Sequence, residues 1–284
     1  TEGRAERLQK QPERPSQPPA AATTHDYERS APGLVVAIGD MHGDLAVARR
    51  ALRLAGVIDE HDHWAGGDRV AVVTGDTIDR GDDDKAVVDL LERLRTEAAE
   101  GGGAFIPLVG NHEIMNVEGD LRYVTPKSAA AFEQGRVEAF KPGGEYAKVL
   151  AHWPVIVKVN DSVFVHGGVL KAHLEYGIDE LNTKTAAWMR DERGIPSLLL
   201  SDTAPVWTRL YSVDPDDAAC AELDEVLHTL GAKRMIVGHT PQLHGISSAC
   251  HDHVWRIDTG MSHFYGGPVQ VLAIGEHGPQ ARSE

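Results

Sequence analysis

The sequence is poor in several things, and each shortage removes a class of explanation. Its 284 residues include only two cysteines, Cys220 and Cys250. They are far apart and in no C-x-x-C pair, so they form neither a zinc clip nor a dithiol motif. The two thiols read as structural and non-catalytic, either bridged in an oxidising compartment or free. No apolar run approaches the roughly 18 to 20 residues that cross a bilayer, so no membrane span is expected. Positive charge is scarce: 28 Lys and Arg stand against 43 Asp and Glu, a net charge of −15. Binding to nucleic acid needs clustered cations that displace counterions from phosphates, and nucleic acid is therefore not an expected partner. Aromatic residues make up 6% of the chain, which speaks against a pocket lined by base-stacking rings.

What is present is ordinary for a globular chain: 42% hydrophobic and 25% charged residues. The length fits one large domain. Residues 1–32 stand apart, because they contain PERPSQPPAAATT and no periodic apolar spacing. They read as a polar tether, with residues 33–284 as the folded domain. The chain opens on Thr and not Met, so a processed product or a trimmed piece is expected. A tether after a removed export signal favours a periplasmic or secreted protein, with the cytoplasm as the alternative. Oligomeric state is left open.

From Leu34 onward, short apolar runs end in small and polar residues: LVVAIGD, RVAVVTGD and AFIPLVGN. These read as buried strands, separated by helical spacing over Leu45 to Ala55 and Lys85 to Ala99. The alternation predicts an α/β fold built from strand, loop and helix units. Later strands are expected at VIVKVN, SVFVHGG, RMIVGHT, HVWRID and VQVLAIG, and Asn160-Asp161 marks a hairpin turn that makes the second half partly antiparallel. Residues 113–153 read as a helical excursion with long loops.

The chemistry concentrates at strand ends. Asp40 and His42 follow LVVAIG, Asp76 follows AVVTG, Asn111 and His112 follow IPLVG, His166 follows SVFV, and His239 follows RMIVG. A lone Asp or His after a strand is more often a turn or cap than a ligand. Five strand ends that each deliver a metal-compatible group beside a glycine are not explained by turn chemistry, which Asn, Ser or Gly would satisfy equally. The set of carboxylates, imidazoles and one carboxamide, without thiolate, suits Mn, Fe, Zn or Mg. Two such ions about 3.5 to 4 Å apart can polarise a phosphoryl oxygen and activate a water, and Asp76, lying between the other ligands in chain order, is the candidate shared ligand. Asp44 reads as the N-cap of the helix at Leu45.

The segments GDMHGD, GDTIDRG, GNHEIMN, HGG and VGHT resemble the signature blocks of the calcineurin-like metallophosphoesterases, in the phosphoprotein phosphatase branch. With GDLRYV, VGHTPQ and RIDTGMS the wording is most similar to the bacterial Shewanella-like protein phosphatases. The resemblance implies an αββα sandwich of two mixed sheets flanked by helices. It implies two divalent ions, manganese first among them, with Asp40, His42 and Asp76 on one, and Asp76, Asn111, His166 and His239 on the other. His112 would then protonate the leaving group and Asp79 would orient it. Arg80, Arg209 and Asn111 would bind the substrate phosphate. Pro241 stands where many phosphodiesterases of the superfamily carry a further His, which favours monoesters. The expected substrate is a phosphorylated protein, peptide or small phosphomonoester. The alternatives are a dinucleoside tetraphosphate hydrolase and a catalytically inactive scaffold.

Overall fold

The computed structural model describes residues 26–284. In chain order the elements are β1 (Glu28–Arg29), β2 (Val35–Ile38), α1 (Leu45–Leu54), β3 (Val70–Val73), α2 (Asp84–Glu100), β4 (Ala104–Pro107) and α3 (Asn111–Glu118). There follow α4 (Pro126–Ala130), α5 (Arg136–Phe140), α6 (Glu145–Leu150), β5 (Ile156–Val159), β6 (Ser162–Val165), α7 (Lys171–Tyr176) and α8 (Ile178–Met189). The chain ends with α9 (Asp217–Thr229), β7 (Arg234–Val237), β8 (Ser247–Ala249), β9 (Val254–Arg256), β10 (Gln270–Gly275) and β11 (Gly278–Ser283).

The strands form two mixed sheets, one of five strands in the order β11-β10-β2-β3-β4 and one of six in the order β1-β5-β6-β7-β9-β8. Strand β2 is parallel to β3 and β3 to β4, joined by α1 and α2 as the sequence pattern predicts. These strands read as unbroken apolar runs because both of their faces are covered. Val35, Ala37, Val70 and Val72 pack with Val157, Val159, Phe164 and Ile236 of the other sheet. The alternate residues Val36, Ile38, Ala71 and Val73 pack with α1 and α2 through Ala48, Leu52, Val88 and Leu91. Period-2 alternation thus separates an inner, sheet-to-sheet layer from an outer, helix-covered one.

The second sheet has the hairpin at Asn160-Asp161: β5 pairs antiparallel with β6, and Asn160 takes a φ of 53°. Strands β6, β7 and β9 are parallel neighbours. The excursion over 113–153 is helical, as expected, and carries α3 to α6.

The tether expected over 1–32 lies outside the described residues as far as residue 25. Its last part is corrected by the structure. Glu28–Arg29 pair with Lys158–Val159 as an edge strand, the amides of Lys158 and Asn160 donate to the carbonyls of Tyr27 and Arg29, and the Ala31 amide donates to Asn160 Oδ1. A two-residue edge held by backbone bonds needs no apolar period, so composition does not reveal it. Strand β11, with the polar sequence GPQARS, is unreadable for the same reason.

Cys220 and Cys250 are bridged, tying α9 to the turn between β8 and β9 across 30 residues of chain. Closing a loop of that size restricts the unfolded chain by roughly 3 to 4 kcal/mol. A Cys220→Ser/Cys250→Ser double variant should lose about that much in urea unfolding and retain its turnover in native buffer. An unchanged unfolding midpoint would show the bridge to be energetically idle.

Candidate active site

The carboxyl ends of β2, β3, β4, β6 and β7 converge, and bring the predicted residues together. Clefts of this kind form where loops leave parallel strands. Here the loops are sharply bent: His42, Asp76, Asp79, Arg80 and His239 all lie in the left-handed region, with φ between 46° and 70°. Such backbone costs about 1 to 3 kcal/mol per residue and is held in place by its surroundings. Two glycines allow the close approach. A Cβ on Gly110 would lie 2.3 Å from Asp76 Oδ1, and one on Gly238 would lie 2.3 Å from Asp40 Oδ1.

Glu113, buried in the first turn of α3, holds two of these loops together. One of its oxygens accepts from the amides of Gly110 (2.7 Å) and Asp76 (3.0 Å), the other from the amide and hydroxyl of Thr77 (both 2.8 Å). It thereby fixes Asp76 beside Asn111. The bond to Gly110 caps the start of α3, with Glu113 reaching back to the N-cap amide.

Donor atoms of His42, Asp76 and His112 all lie within 4.8 Å of one another, as do those of Asp76, His166 and His239. Asp76 is common to both clusters. The hydrogen-bond directions show what these clusters can hold. His166 Nδ1 donates to the Thr74 carbonyl at 2.8 Å, which in the neutral ring leaves a lone pair on Nε2. That lone pair faces Asn111 Oδ1 at 2.9 Å, His239 Nδ1 at 3.1 Å and Asp76 Oδ2 at 3.2 Å. His239 Nε2 donates to the Trp207 carbonyl at 3.1 Å, so its Nδ1 also carries a lone pair. Asn111 Oδ1, His239 Nδ1 and Asp76 Oδ2 thus converge on His166 Nε2, a gap that either a second proton on His166 or a cation bridges, and the mixed nitrogen and oxygen set suits a divalent ion.

The electrostatics agree. Burial pulls the His166 pKa down, yet Asp76 more than offsets this and leaves it raised, so the spot draws positive charge. Burial keeps His42 neutral, with its pKa lowered to about 4, and takes His239 down to about 2, both therefore able to ligate. Asp40 Oδ2 accepts from the His239 amide at 3.0 Å, while its Oδ1 is buried without a partner. Burial, then the charges of Asp258 and Asp76, push the Asp40 carboxyl well above its usual range. An orphaned carboxylate oxygen among other carboxylates fits a cation site.

His112 lies at the mouth of this cluster. Its Nδ1 is 2.7 Å from Asp79 Oδ2, and its Nε2 is 3.8 Å from Asp76 Oδ2. Burial lowers its pKa, but Asp76 and the bonded Asp79 outweigh that and raise it. The Arg80 guanidinium lies between Tyr123, at 3.9 Å, and Phe264, at 4.8 Å, and opens with His42 and Lys127 onto a cleft of about 340 Å³. Arg209 sits alongside, with Nη1 donating to the His239 carbonyl at 2.9 Å and to Thr240 Oγ1 at 2.8 Å. Asp44 caps α1, as read from sequence, by accepting from the Val47 amide.

Sequence reasoning misses Asp258. It follows β9 as Asp40 follows β2, with Gly260 close behind, so the same strand-end signal is present. Its Oδ1 accepts from the Gly260 amide, its Oδ2 is buried without a partner, and burial raises its pKa to about 6.

The calcineurin-like phosphoesterase family model matches residues 33–243. The chain is 36% identical to Shewanella-like protein phosphatase 2 of Arabidopsis thaliana, over 81% of this chain and 72% of that one. It is 35% identical to Shewanella-like protein phosphatase 1 of Plasmodium berghei, over 86% and 72%. Among solved structures, the cold-active protein-tyrosine phosphatase of a psychrophilic Shewanella superposes with a TM-score of 0.78 at 27% identity, covering 90% of this chain and 79% of that one. Relatives in a plant and a protist show that the bacterial source suggested by the motif wording does not follow from it. With its two sheets, flanking helices and strand-end cluster, the chain belongs to the calcineurin-like phosphoesterase family, and its relatives there include the Shewanella-like protein phosphatases.

Proposed function

We propose that this metal-dependent phosphatase hydrolyses phosphate monoesters on proteins, releasing inorganic phosphate, with phosphotyrosyl side chains preferred. The observation that carries the reading is the convergence of nitrogen and oxygen donor atoms of both clusters on Asp76, with His112 beside them. Asp40, His42 and Asp76 would hold one ion, and Asp76, Asn111, His166 and His239 the other, manganese first, with iron, zinc or magnesium able to replace it. Two divalent ions in such a site supply a polarised phosphoryl group and an activated water.

The protein's own groups divide the remaining work. Arg80 offers a planar fork to two phosphate oxygens, its orientation set by the rings of Tyr123 and Phe264. Arg209 and the Asn111 amide complete the phosphate grip. His112 delivers a proton from Nε2 to the departing oxygen: Asp79 accepts from Nδ1 and, with Asp76, raises the ring's pKa, which favours the imidazolium that carries a proton on both nitrogens. Phe264 is half exposed beside Tyr265, which itself lies 5.3 Å from His42, so an aromatic leaving group meets an aromatic rim. The related Shewanella structure is that of a protein-tyrosine phosphatase. The disulfide supports a periplasmic or secreted location.

The test is an assay of manganese-loaded protein against phosphotyrosyl and phosphoseryl peptides, p-nitrophenyl phosphate, a bis-aryl phosphate and a dinucleoside tetraphosphate. The phosphotyrosyl peptide should show the highest kcat/KM. A higher value for the diester or the dinucleotide would overturn the assignment, and no turnover of any substrate would favour an inactive scaffold.

A further inference from the structure

Arg136, on α5 of the helical excursion, is 3% exposed and carries its charge into the interior. A guanidinium is buried at great cost unless opposite charges and acceptors surround it, and here two carboxylates and an amide oxygen do. Nε donates to Asn116 Oδ1 at 2.8 Å, Nη1 pairs with Asp84 Oδ2 at 2.9 Å, and Nη2 reaches Asp79 Oδ1 at 3.4 Å. Its flat face lies 4.1 Å from the Phe140 ring centre and 4.8 Å from that of Phe132.

Each of these partners leads to Asp79. Asn116 Nδ2 donates to both Asp79 oxygens, at 3.0 and 3.1 Å, and to the His112 carbonyl at 2.9 Å. Asp84 Oδ1 accepts from the Asp79 amide at 3.0 Å. Asp79 is thus gripped by its backbone and by one carboxylate edge, while Oδ2 points at His112 Nδ1. Without Arg136, two buried carboxylates, Asp79 and Asp84, would face each other with no cation between them.

We propose that Arg136 and Asn116 are positioning residues for proton delivery: they clamp the Asp79 carboxylate so that His112 presents Nε2 to the leaving oxygen. The helical excursion therefore supplies part of the catalytic apparatus from outside the strand ends, and a sequence change in α5 alters turnover without touching a ligand or the phosphate. This assignment rests on His112 being the proton donor.

The experiment compares phenyl phosphate, whose leaving group needs a proton, with 2,4-dinitrophenyl phosphate, whose leaving group does not, in manganese-loaded protein. General acids contribute about 10²- to 10⁴-fold, so the kcat ratio of the two substrates is a sensitive reporter. Arg136→Met should lower kcat on phenyl phosphate at least about tenfold more than on the dinitrophenyl ester, with KM and metal content little changed. Arg136→Lys and Asn116→Leu should shift the ratio the same way, the lysine less. Should Arg136→Met not fold, Arg136→Lys decides.

A second readout needs no turnover: the downfield proton of the His112 to Asp79 bond, seen by NMR in the metal-free protein, should be lost in Arg136→Met and shifted or broadened in Arg136→Lys. Equal losses on both esters, or an unchanged proton signal, would overturn the proposal. His112→Asn is the control. If it too leaves the ratio unchanged, the assignment of His112 as acid fails; if it shifts the ratio and the Arg136 variants do not, only the clamp fails.

Discussion

His112→Asn should lower kcat by about 10² to 10⁴, the range a general acid contributes, while the protein keeps its full complement of metal. Both halves of this result matter. His112 Nε2 belongs to the same 4.8 Å cluster as His42 and Asp76, so distance alone would also allow it to be a ligand. Its other nitrogen is what distinguishes it: Nδ1 is committed to Asp79 at 2.7 Å, a partner that raises the ring's basicity and suits proton transfer. Asn removes the titrating group and leaves the α3 backbone undisturbed, including the His112 amide that donates to Asp76 Oδ1 at 3.0 Å. Metal analysis beside steady-state kinetics separates the two roles, and loss of metal in the variant would make His112 a ligand.

Asp76→Asn should abolish turnover and empty both metal positions together. Asp76 is the one carboxylate shared by the two donor clusters. Burial would raise its pKa, but the imidazoles of His166 and His112 overcome that and hold it well below the usual range, so it is an anion in the folded protein. Outer partners of a metal site alone are worth about 10- to 100-fold in affinity, and loss of a shared anionic ligand should exceed that for both ions. Metal content after dialysis against buffer of fixed free manganese measures it directly. Retention of one ion in full would mean that Asp76 serves a single position.

Strand ends are legible because they obey local rules. LVVAIGD, RVAVVTGD and AFIPLVGN announce strands covered on both faces, and the Asp, His or Asn after each sits where parallel strands deliver their loops. Pattern and ligand chemistry alone therefore point to Asp40, His42, Asp76, Asn111, His166 and His239 as candidate ligands, all at strand ends that the fold brings together. Asp258 obeys the same rule less visibly, because HVWRID is short and its apolar run is broken by Arg256.

What pattern does not encode is contact across sequence distance. The bonds accepted by Glu113, the left-handed turns at His42 and His239, and the path from Arg136 to Asp79 across 57 positions all depend on packing. A buried arginine in a polar, weakly periodic stretch looks like a solvated one until the fold places Phe132 and Phe140 on its faces. β1 stays hidden for a related reason, since an edge pair held by backbone bonds carries no side-chain signature.

Titrating manganese into chelator-treated protein, with phosphate release from a phosphotyrosyl peptide followed at each addition, tests the two-ion site most directly. Activity should be absent at the start, rise with added metal, and reach its plateau at two equivalents per chain. A plateau at one equivalent, or turnover that survives the chelator, would contradict it.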